Sequence, residues 1–382
     1  MHLVYADHNA TTPVHPEVAA AMSPFFAENF GNALSLHQFG QHARAAVEKA
    51  RAQCAALLGC KPGQILFTSG ASESNNLAVK GLAWARQDKG RHIISSTVEH
   101  SAVLNPCKWL ATQGFEVTFL PVDATGRLDP QDLKAAIRPD TILISIMWAN
   151  NELGTVEPMP EIAALANEAG VPLHTDAVQA VGKLPLNIEE VKVQALSISS
   201  HKFYGPKGAG LLYLEKGTIP VPLIHGGTHE RGLRAGTENV PGIVGMGKAA
   251  ELALRELATE TPRLRVLTDR LWKGIQERIE GAHLNGHPRE RLCNTLNVSF
   301  DGVEGEALVV HLDLEGVAVS TGAACSSGAV DPSHALMATG MPRERANSSI
   351  RISLGRTDTG ADVERILEVL PAVVKKLRAI LA

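Results

Sequence analysis

The sequence predicts an α/β protein, with a mostly parallel central sheet covered by helices and a smaller α+β domain. Three observations carry this. Short apolar runs alternate with helix-period segments from Ile65 to Leu214. The notable polar residues of that region, Ser69 to Ser72, His100, Asn151, Asp176, Gln179, His201 and Lys202, all fall just after apolar runs. Open parallel sheets bind ligands beyond the carboxyl ends of their strands. Composition then shifts to shorter alternating elements, which places a domain boundary inside a long helix near residue 255. The expected division is a large domain over 13–255 and a small one made of 1–12 with 256–382.

Taken in order, Tyr5 to Thr12 is an extended opening with turn-forming residues ahead of Pro13. Pro16 starts a helix to about Glu28. From Gln38, the positions Phe39, Ala43, Val47, Ala50, Cys54 and Leu57 recur at helical spacing and stop at Gly59. Ile65 to Thr68 is a short strand that runs into a small-residue turn, Ser69 to Asn76, and a helix from Leu77. Free N–H groups and the dipole at such a helix start suit a phosphate. The turn lacks the Gly-Lys-Ser/Thr ending of a Walker loop, and a helix capped by Ser69 or Ser72 is the alternative reading.

Further strands are expected at His92–Ser96, Glu116–Pro121 and Thr141–Met147, the last apolar on both faces. Asp129 and Pro130 have the residue types of a helix start, and another helix spans about Pro160 to Gly170. Val171 to Thr175 is a strand ending at Asp176, Ala195 to Ser199 is one ending before Lys202, and Gly210 to Leu214 follows. Ile224 to Val240 is rich in glycine and charge, too polar for core and too patterned for a linker. A helix then runs from about Gly242 to about Glu280, kinked near Pro262. Thr295–Phe300, a helix over Gly305–Leu314, Val317–Ser320 and an alternating strand around Arg351 complete the reading.

Composition excludes several classes. The 382 residues suffice for two domains and a sizeable core. A net charge of −4 argues against a general polyanion-binding surface, and 4% aromatics against stacking platforms for nucleic acid. No apolar run approaches the ~20 residues of a membrane span, and no signal peptide is apparent at the N-terminus. Five cysteines without a CxxC pair make a disulfide framework or a zinc site unexpected, so a cytoplasmic location and no bound metal are the expectations.

The chemistry centres on Lys202, just past a buried strand and flanked by Ser199, Ser200 and His201. An amine acts as a nucleophile once it loses its proton, which partial burial and nearby positive charge promote. Covalently held pyridoxal phosphate needs a lysine, an anionic partner for its ring nitrogen, a phosphate cradle and a donor near its ring hydroxyl. Asp176 suits the ring nitrogen, with a helix cap as its alternative. Gln179 can reach the ring oxygen; Ala71, Ser72, Ser199, Ser200 and His201 can hold the phosphate. His100 can stack on the ring and move protons. A second centre is Ser320 to Ala329, a loop of glycine and small residues around Cys325. An exposed thiol in a mobile loop suits a travelling nucleophile. Arg351 suits a bidentate carboxylate partner, with an internal salt bridge as the alternative.

Together, Asp7 to Thr12, Thr68 to Asn75, Glu99-His100, Asn150 to Glu152, Thr175 to Gln179, Ser200 to Lys202, Glu230 to Gly232 and Ala324 to Ser327 resemble the pyridoxal-phosphate-dependent cysteine desulfurases. The nearer branch is the NifS/IscS-like one, within the class V aminotransferases, and the resemblance runs the length of the chain. It implies the aspartate aminotransferase-like fold, a homodimer, and conversion of L-cysteine to L-alanine with sulfur left as a persulfide on Cys325. It also implies a sulfur-acceptor protein, serving iron–sulfur assembly, that would take that sulfur. By motif, Lys202 holds the cofactor, and Asp176, Gln179, His100, Ala71, Ser72, Ser199, Ser200 and His201 match cofactor positions. Thr237 matches a threonine that reaches the phosphate of the neighbouring subunit, and Asn151 and Arg351 match substrate-carboxylate contacts. Ala323 stands where serine is common, and Thr228-His229 replace a more usual Gly-Gln. A selenocysteine lyase or aminotransferase of the same fold, or a non-catalytic assembly scaffold, are the alternatives.

Overall fold

The computed structural model describes residues 3–321 and 332–381. The first strand, β1 (Val4–Tyr5), belongs to a separate two-stranded sheet. The central sheet is built from β2 (Ile65–Thr68), β3 (His92–Ser96), β4 (Glu116–Leu120), β5 (Thr141–Ser145), β6 (Leu173–Asp176), β7 (Ala195–Ser199) and β8 (Gly210–Leu214), in the order β2-β8-β7-β6-β5-β3-β4. β8 alone is antiparallel to its neighbours. The connection 200–209 is too short for the crossover a parallel pair needs, so β7 and β8 form a hairpin. The carboxyl ends of β2, β3, β5, β6 and β7 therefore share one edge, and Lys202 lies in the hairpin turn at that edge. β5 explains its apolar run: Ile142, Leu143 and Ile144 are buried between helical layers, each side chain contributing about 1.5–3 kcal/mol.

The helix Val240–Arg278 links two cores. Its Val240 to Leu252 portion is buried in a cluster that covers the central sheet. Leu264, Leu267, Leu271 and Ile275 enter a second cluster with Val4, Ala6, Val298 and Phe300. That second core packs on β9 (Ala282–Asn285), β10 (Thr295–Phe300) and, beyond β11 (Val317–Ala318), β12 (Ser349–Ser353). The order β12-β10-β9 is antiparallel, and β1 pairs in parallel with β11.

Several boundaries differ from expectation for local reasons. The first helix breaks into Pro16–Met22 and Pro24–Ala27, because Pro24 cannot continue the ladder. The helix expected from Leu77 begins already at Ala71. β5 ends at Ser145, although the Ile146 and Trp148 N–H groups still donate to His174 O (3.1 Å) and Asp176 O (2.9 Å), and Val317–Ser320 shortens to β11 with Ser320 bridging to Arg351. β9 and the helix Gly360–Leu381 are additions to the sequence reading. Among the described residues, no helix is long and apolar enough to cross a membrane, and no His/Cys/Asp/Glu cluster has the makings of a metal site.

Candidate active site

β7 ends at Ser199 and turns through Ser200–Lys202. The N-terminal segment lies over that turn. Lys202 Nζ donates to the carbonyls of Asn9 (2.6 Å) and Ala10 (2.8 Å). Thr12 donates to His201 O from both its N–H (2.9 Å) and its hydroxyl (3.0 Å). Tyr204 N–H returns the contact by donating to Thr12 Oγ1 (2.8 Å). Thr11 Oγ1 meets His201 Nδ1 at 3.1 Å. Burial, with Lys202 and Lys207 nearby, pushes the His201 imidazole down to about 4, so this ring is neutral at pH 7. The polar opening Asp7 to Thr12 thus supplies the partners that the lysine turn lacks.

Asp176 closes β6 and is buried. Its Oδ2 accepts from Asn75 Nδ2 at 2.6 Å and its Oδ1 from Val178 N–H at 3.0 Å. Both donors are neutral, so they hold the carboxylate without cancelling its charge. No helix starts after Asp176, so the helix cap named as the alternative is not formed; the Val178 contact closes an Asx turn instead. Gln179 is buried and donates from Nε2 to Asn9 O at 3.0 Å. His100 precedes the helix Ser101–Thr112, and its Nδ1 accepts from Ala102 N–H at 3.1 Å. That contact leaves Nε2 as the ring atom that can exchange a proton with anything in the cleft. Burial lowers the His100 pKa, Asp176 opposes this, and Lys202 and His334 add to it.

The expected phosphate cradle falls at the start of Ala71–Ala85. Neither Ser69 nor Ser72 caps this helix. Gly70 takes the cap position at φ +157 with no side-chain bond, so first-turn N–H groups stay open to an anion. Glu73 turns back instead, its Oε2 accepting from Ser69 N–H (2.9 Å) and Oγ (2.6 Å). Arg234 pairs with Glu73 (2.8 Å) and ties the glycine-rich segment to the same turn. A Cβ on Gly210 would lie 2.6 Å from Gly70 Cα, which shows how closely the β7–β8 hairpin meets this loop. A Cβ on Gly70 would sit 3.9 Å from Ser199 Oγ, so that hydroxyl borders the turn. Ser200 Oγ is buried and has no hydrogen-bond partner among the described residues. Ala71 is half-buried and Ser72 exposed. Open N–H groups, an unspent buried hydroxyl, a buried carboxylate and a lysine on one sheet edge are the donor set pyridoxal phosphate requires. The residues fit the group.

Arg351, expected to meet a substrate carboxylate, is buried and donates from Nη1 to Asn151 O (3.0 Å) and from Nη2 to Asp7 Oδ1 (2.7 Å). The internal salt bridge named as the alternative is therefore present. Asn151 meets Arg351 through its carbonyl, to which Asn9 Nδ2 also donates (3.2 Å). Ser320 exchanges both backbone hydrogen bonds with Arg351, so the segment leading to residue 325 departs beside that arginine. Cys325 itself lies outside the described residues. Thr237 is exposed ahead of the long helix. The four described cysteines are unlike a nucleophile. Burial pushes Cys54, Cys60 and Cys107 up to about 12 and also raises Cys293.

Sequence reasoning missed Asn75 and Asn9 as members of this site. Asn75 lay within the small-residue run, four positions into a helix whose opening turn was already singled out. Asn9 lay within the polar opening, and its long-range partners have no local signal.

A family model described as Aminotransferase class-V matches residues 4–366. The chain is 54% identical to "Cysteine desulfurase IscS" of Dictyoglomus turgidum, covering 99% of this chain and 96% of that one. It is 52% identical to a protein of the same name from Methanosarcina thermophila, covering 98% and 93%. A solved structure titled "NIFS-LIKE PROTEIN" superposes with a TM-score of 0.91 at 40% identity, covering 100% of this chain and 99% of that one.

Proposed function

This chain belongs to the class-V aminotransferase family, and from that premise we infer that it is a pyridoxal-phosphate-dependent cysteine desulfurase acting on L-cysteine. The observation that carries the reading is the donor set on one sheet edge: Lys202 on the Asn9 and Ala10 carbonyls, beside Asp176 held by Asn75. When bound, pyridoxal phosphate supplies an electron sink for the bonds of the substrate's Cα. Asp176 places a negative charge where the ring nitrogen must stay protonated. The helix start at Ala71, with Ser72, Ser199, Ser200 and His201, holds the phosphate. Gln179 donates to the ring oxygen, and Lys202 takes and returns the Cα proton. His100 moves protons at Nε2, the substrate thiol being the nearest need.

The sulfur leaves on Cys325. Its thiolate attacks the substrate sulfur, forming the S–S bond as the substrate's C–S bond breaks, and L-alanine is released. The inertness of the four described thiols supports Cys325 as the nucleophile. Arg351 and Asn151 receive the substrate carboxylate, which must share or replace the contact with Asp7. The protein is a cytoplasmic homodimer in which Thr237 reaches the partner's phosphate, and an acceptor protein takes the persulfide sulfur for iron–sulfur assembly. Exposed Phe26, Phe30, Leu36 and Phe39 support a covered face. We read the chain as a large domain over 13–255 and a small one of 1–12 with 256–382, a division that the two buried clusters support. The test supplies L-cysteine and a reductant to the purified yellow protein. Equal amounts of alanine and sulfide are expected, and cysteine consumed without alanine would rule the reading out. Light scattering should give a dimer mass; a monomer would remove the role of Thr237.

A further inference from the structure

We propose that Lys183 is a positioning residue: its amine fixes the Gln179 carboxamide so that an N–H, not an oxygen, faces the cofactor's ring oxygen. The proposal rests on the reading of Gln179 as the partner of that oxygen. Lys183 is 7% exposed. Its Nζ donates to Gln179 Oε1 at 3.1 Å and to Gln179 O at 3.2 Å. On the far side of the amide, Nε2 donates to Asn9 O at 3.0 Å. A backbone carbonyl can only accept, so the amide atom facing Asn9 is nitrogen. The oxygen then faces Lys183, which has hydrogens to give. Both neighbours assign the same orientation. The amide nitrogen carries a second hydrogen, and that one remains for the ring oxygen.

The surroundings argue that this lysine is not there for stability. Lys202 and Arg351 disfavour its charge and Cys293 favours it; Glu256 and Glu260 line the same cavity, but among the described residues none of these groups forms an ion pair with it. A buried amine among such neighbours costs more than an apolar side chain of equal length. Burial pushes its pKa down to about 7, with Cys293 opposing and Lys202 and Arg351 adding to it. Charged or neutral, the amine keeps hydrogens for both acceptors. The backbone is shaped for the contact. Gly182 at φ +71 turns the chain so that Lys183 faces back to Gln179, and Thr261 Oγ1 donates to Lys183 O at 3.1 Å from the long helix. Asn9 O accepts from Gln179 and from Lys202 Nζ alike, so one hydrogen-bonded chain joins Lys183 to the cofactor-binding lysine.

The experiment is the pH titration of the bound cofactor's visible absorbance in the intact, cofactor-loaded protein. A donor on the ring oxygen competes with the proton that oxygen shares, so loss of the donor raises the midpoint. Lys183→Met should raise it by about one unit, the scale of one lost hydrogen bond. Gln179→Ala should shift it the same way, and the double variant no further than Gln179→Ala alone. Lys183→Arg should restore the midpoint, and Lys183→Met should melt no lower than the native protein. Lys183→Leu repeats the test if the methionine variant does not fold. A midpoint unmoved by loss of Lys183 while Gln179→Ala shifts it overturns the proposal, as does an additive double variant. A midpoint unmoved by Gln179→Ala removes the ring-oxygen reading first, and the proposal with it.

Discussion

Replacing Glu230 with alanine tests how the loop that carries Thr237 is held against the sheet. Glu230 and Arg51 form a two-armed ion pair, Nη1 to Oε2 at 2.9 Å and Nη2 to Oε1 at 2.7 Å. Their side chains are 4% and 8% exposed. Glu230 Oε2 also accepts from Phe67 N–H at 2.9 Å, and Arg51 Nη1 donates to Ile65 O at 3.0 Å. The guanidinium lies 4.7 Å from the Phe67 ring centroid. Burial works against this charge, but Glu230, with Glu48 adding, outweighs it and leaves the Arg51 pKa raised. The pair clamps the loop to β2 just upstream of the Gly70 turn. It also holds Glu230 and Arg231 at φ +44 and +60, conformations that non-glycine residues seldom adopt. Glu230→Ala leaves the buried guanidinium only exposed Glu48 (3.2 Å) and the Ile65 carbonyl, and strands a strand N–H, a loss of about 3 kcal/mol. Arg51→Met with Glu230→Leu strands no charge, so the double variant should lose less than the single one. Urea denaturation followed by fluorescence measures both. A single-variant loss below about 1 kcal/mol, or a double variant as damaged as the single, refutes the reasoning.

Further outcomes follow from other residues. Glu157 is buried with Oε2 accepting from Leu128 N–H (2.9 Å) and Oε1 unpartnered among the described residues. Burial raises its pKa from 4.5 to about 8. The folded state thus binds the proton more tightly, and the stability it contributes is full below 4.5 and lost as pH rises through 8. Glu157→Gln should therefore gain on the native protein as denaturation is moved from pH 5 to pH 8; a constant difference refutes this. A Cβ at Gly205 would sit 1.9 Å from Ser200 Oγ. Gly205→Ala should weaken cofactor retention at least about tenfold by absorbance titration, the worth of one charge-assisted hydrogen bond; unchanged retention would free Ser200 from the cradle. Offered cysteine and selenocysteine together, the protein should release alanine from cysteine; strong discrimination against it would favour a selenocysteine lyase.

The sheet edge was legible because apolar runs mark buried strands and polar residues after them have no other reason to cluster. Asp176, Gln179 and Lys202 were found that way, and Asp129 and Gly59 sit at the helix ends their residue types announce. The direction of β8 was not read, although the short span between Ser199 and Gly210 was a clue. Arg351 shows the limit more sharply. Its alternating strand was visible, but its partner Asp7 comes from the far end of the chain, and no local pattern encodes that meeting. Lys183 was passed over because a lysine after a strand reads as solvated unless its burial is known. The helix Gly360–Leu381 was readable from Val363, Ile366, Leu367, Leu370 and Val374, which recur at helical spacing. In the glycine-rich segment, Glu230 is buried despite the segment's polar composition, because Arg51 receives it.

The central claim is that Lys202 loosens the substrate and Cys325 carries its sulfur away. Intact-mass spectrometry after a single turnover with L-cysteine, without reductant, tests it most directly. The native protein should gain the mass of one sulfur atom, mapped to Cys325, for each alanine released. Cys325→Ala should keep its yellow absorbance and gain none. A sulfur adduct on Cys54, Cys60, Cys107 or Cys293, or a Cys325→Ala variant that still acquires it, would contradict the account.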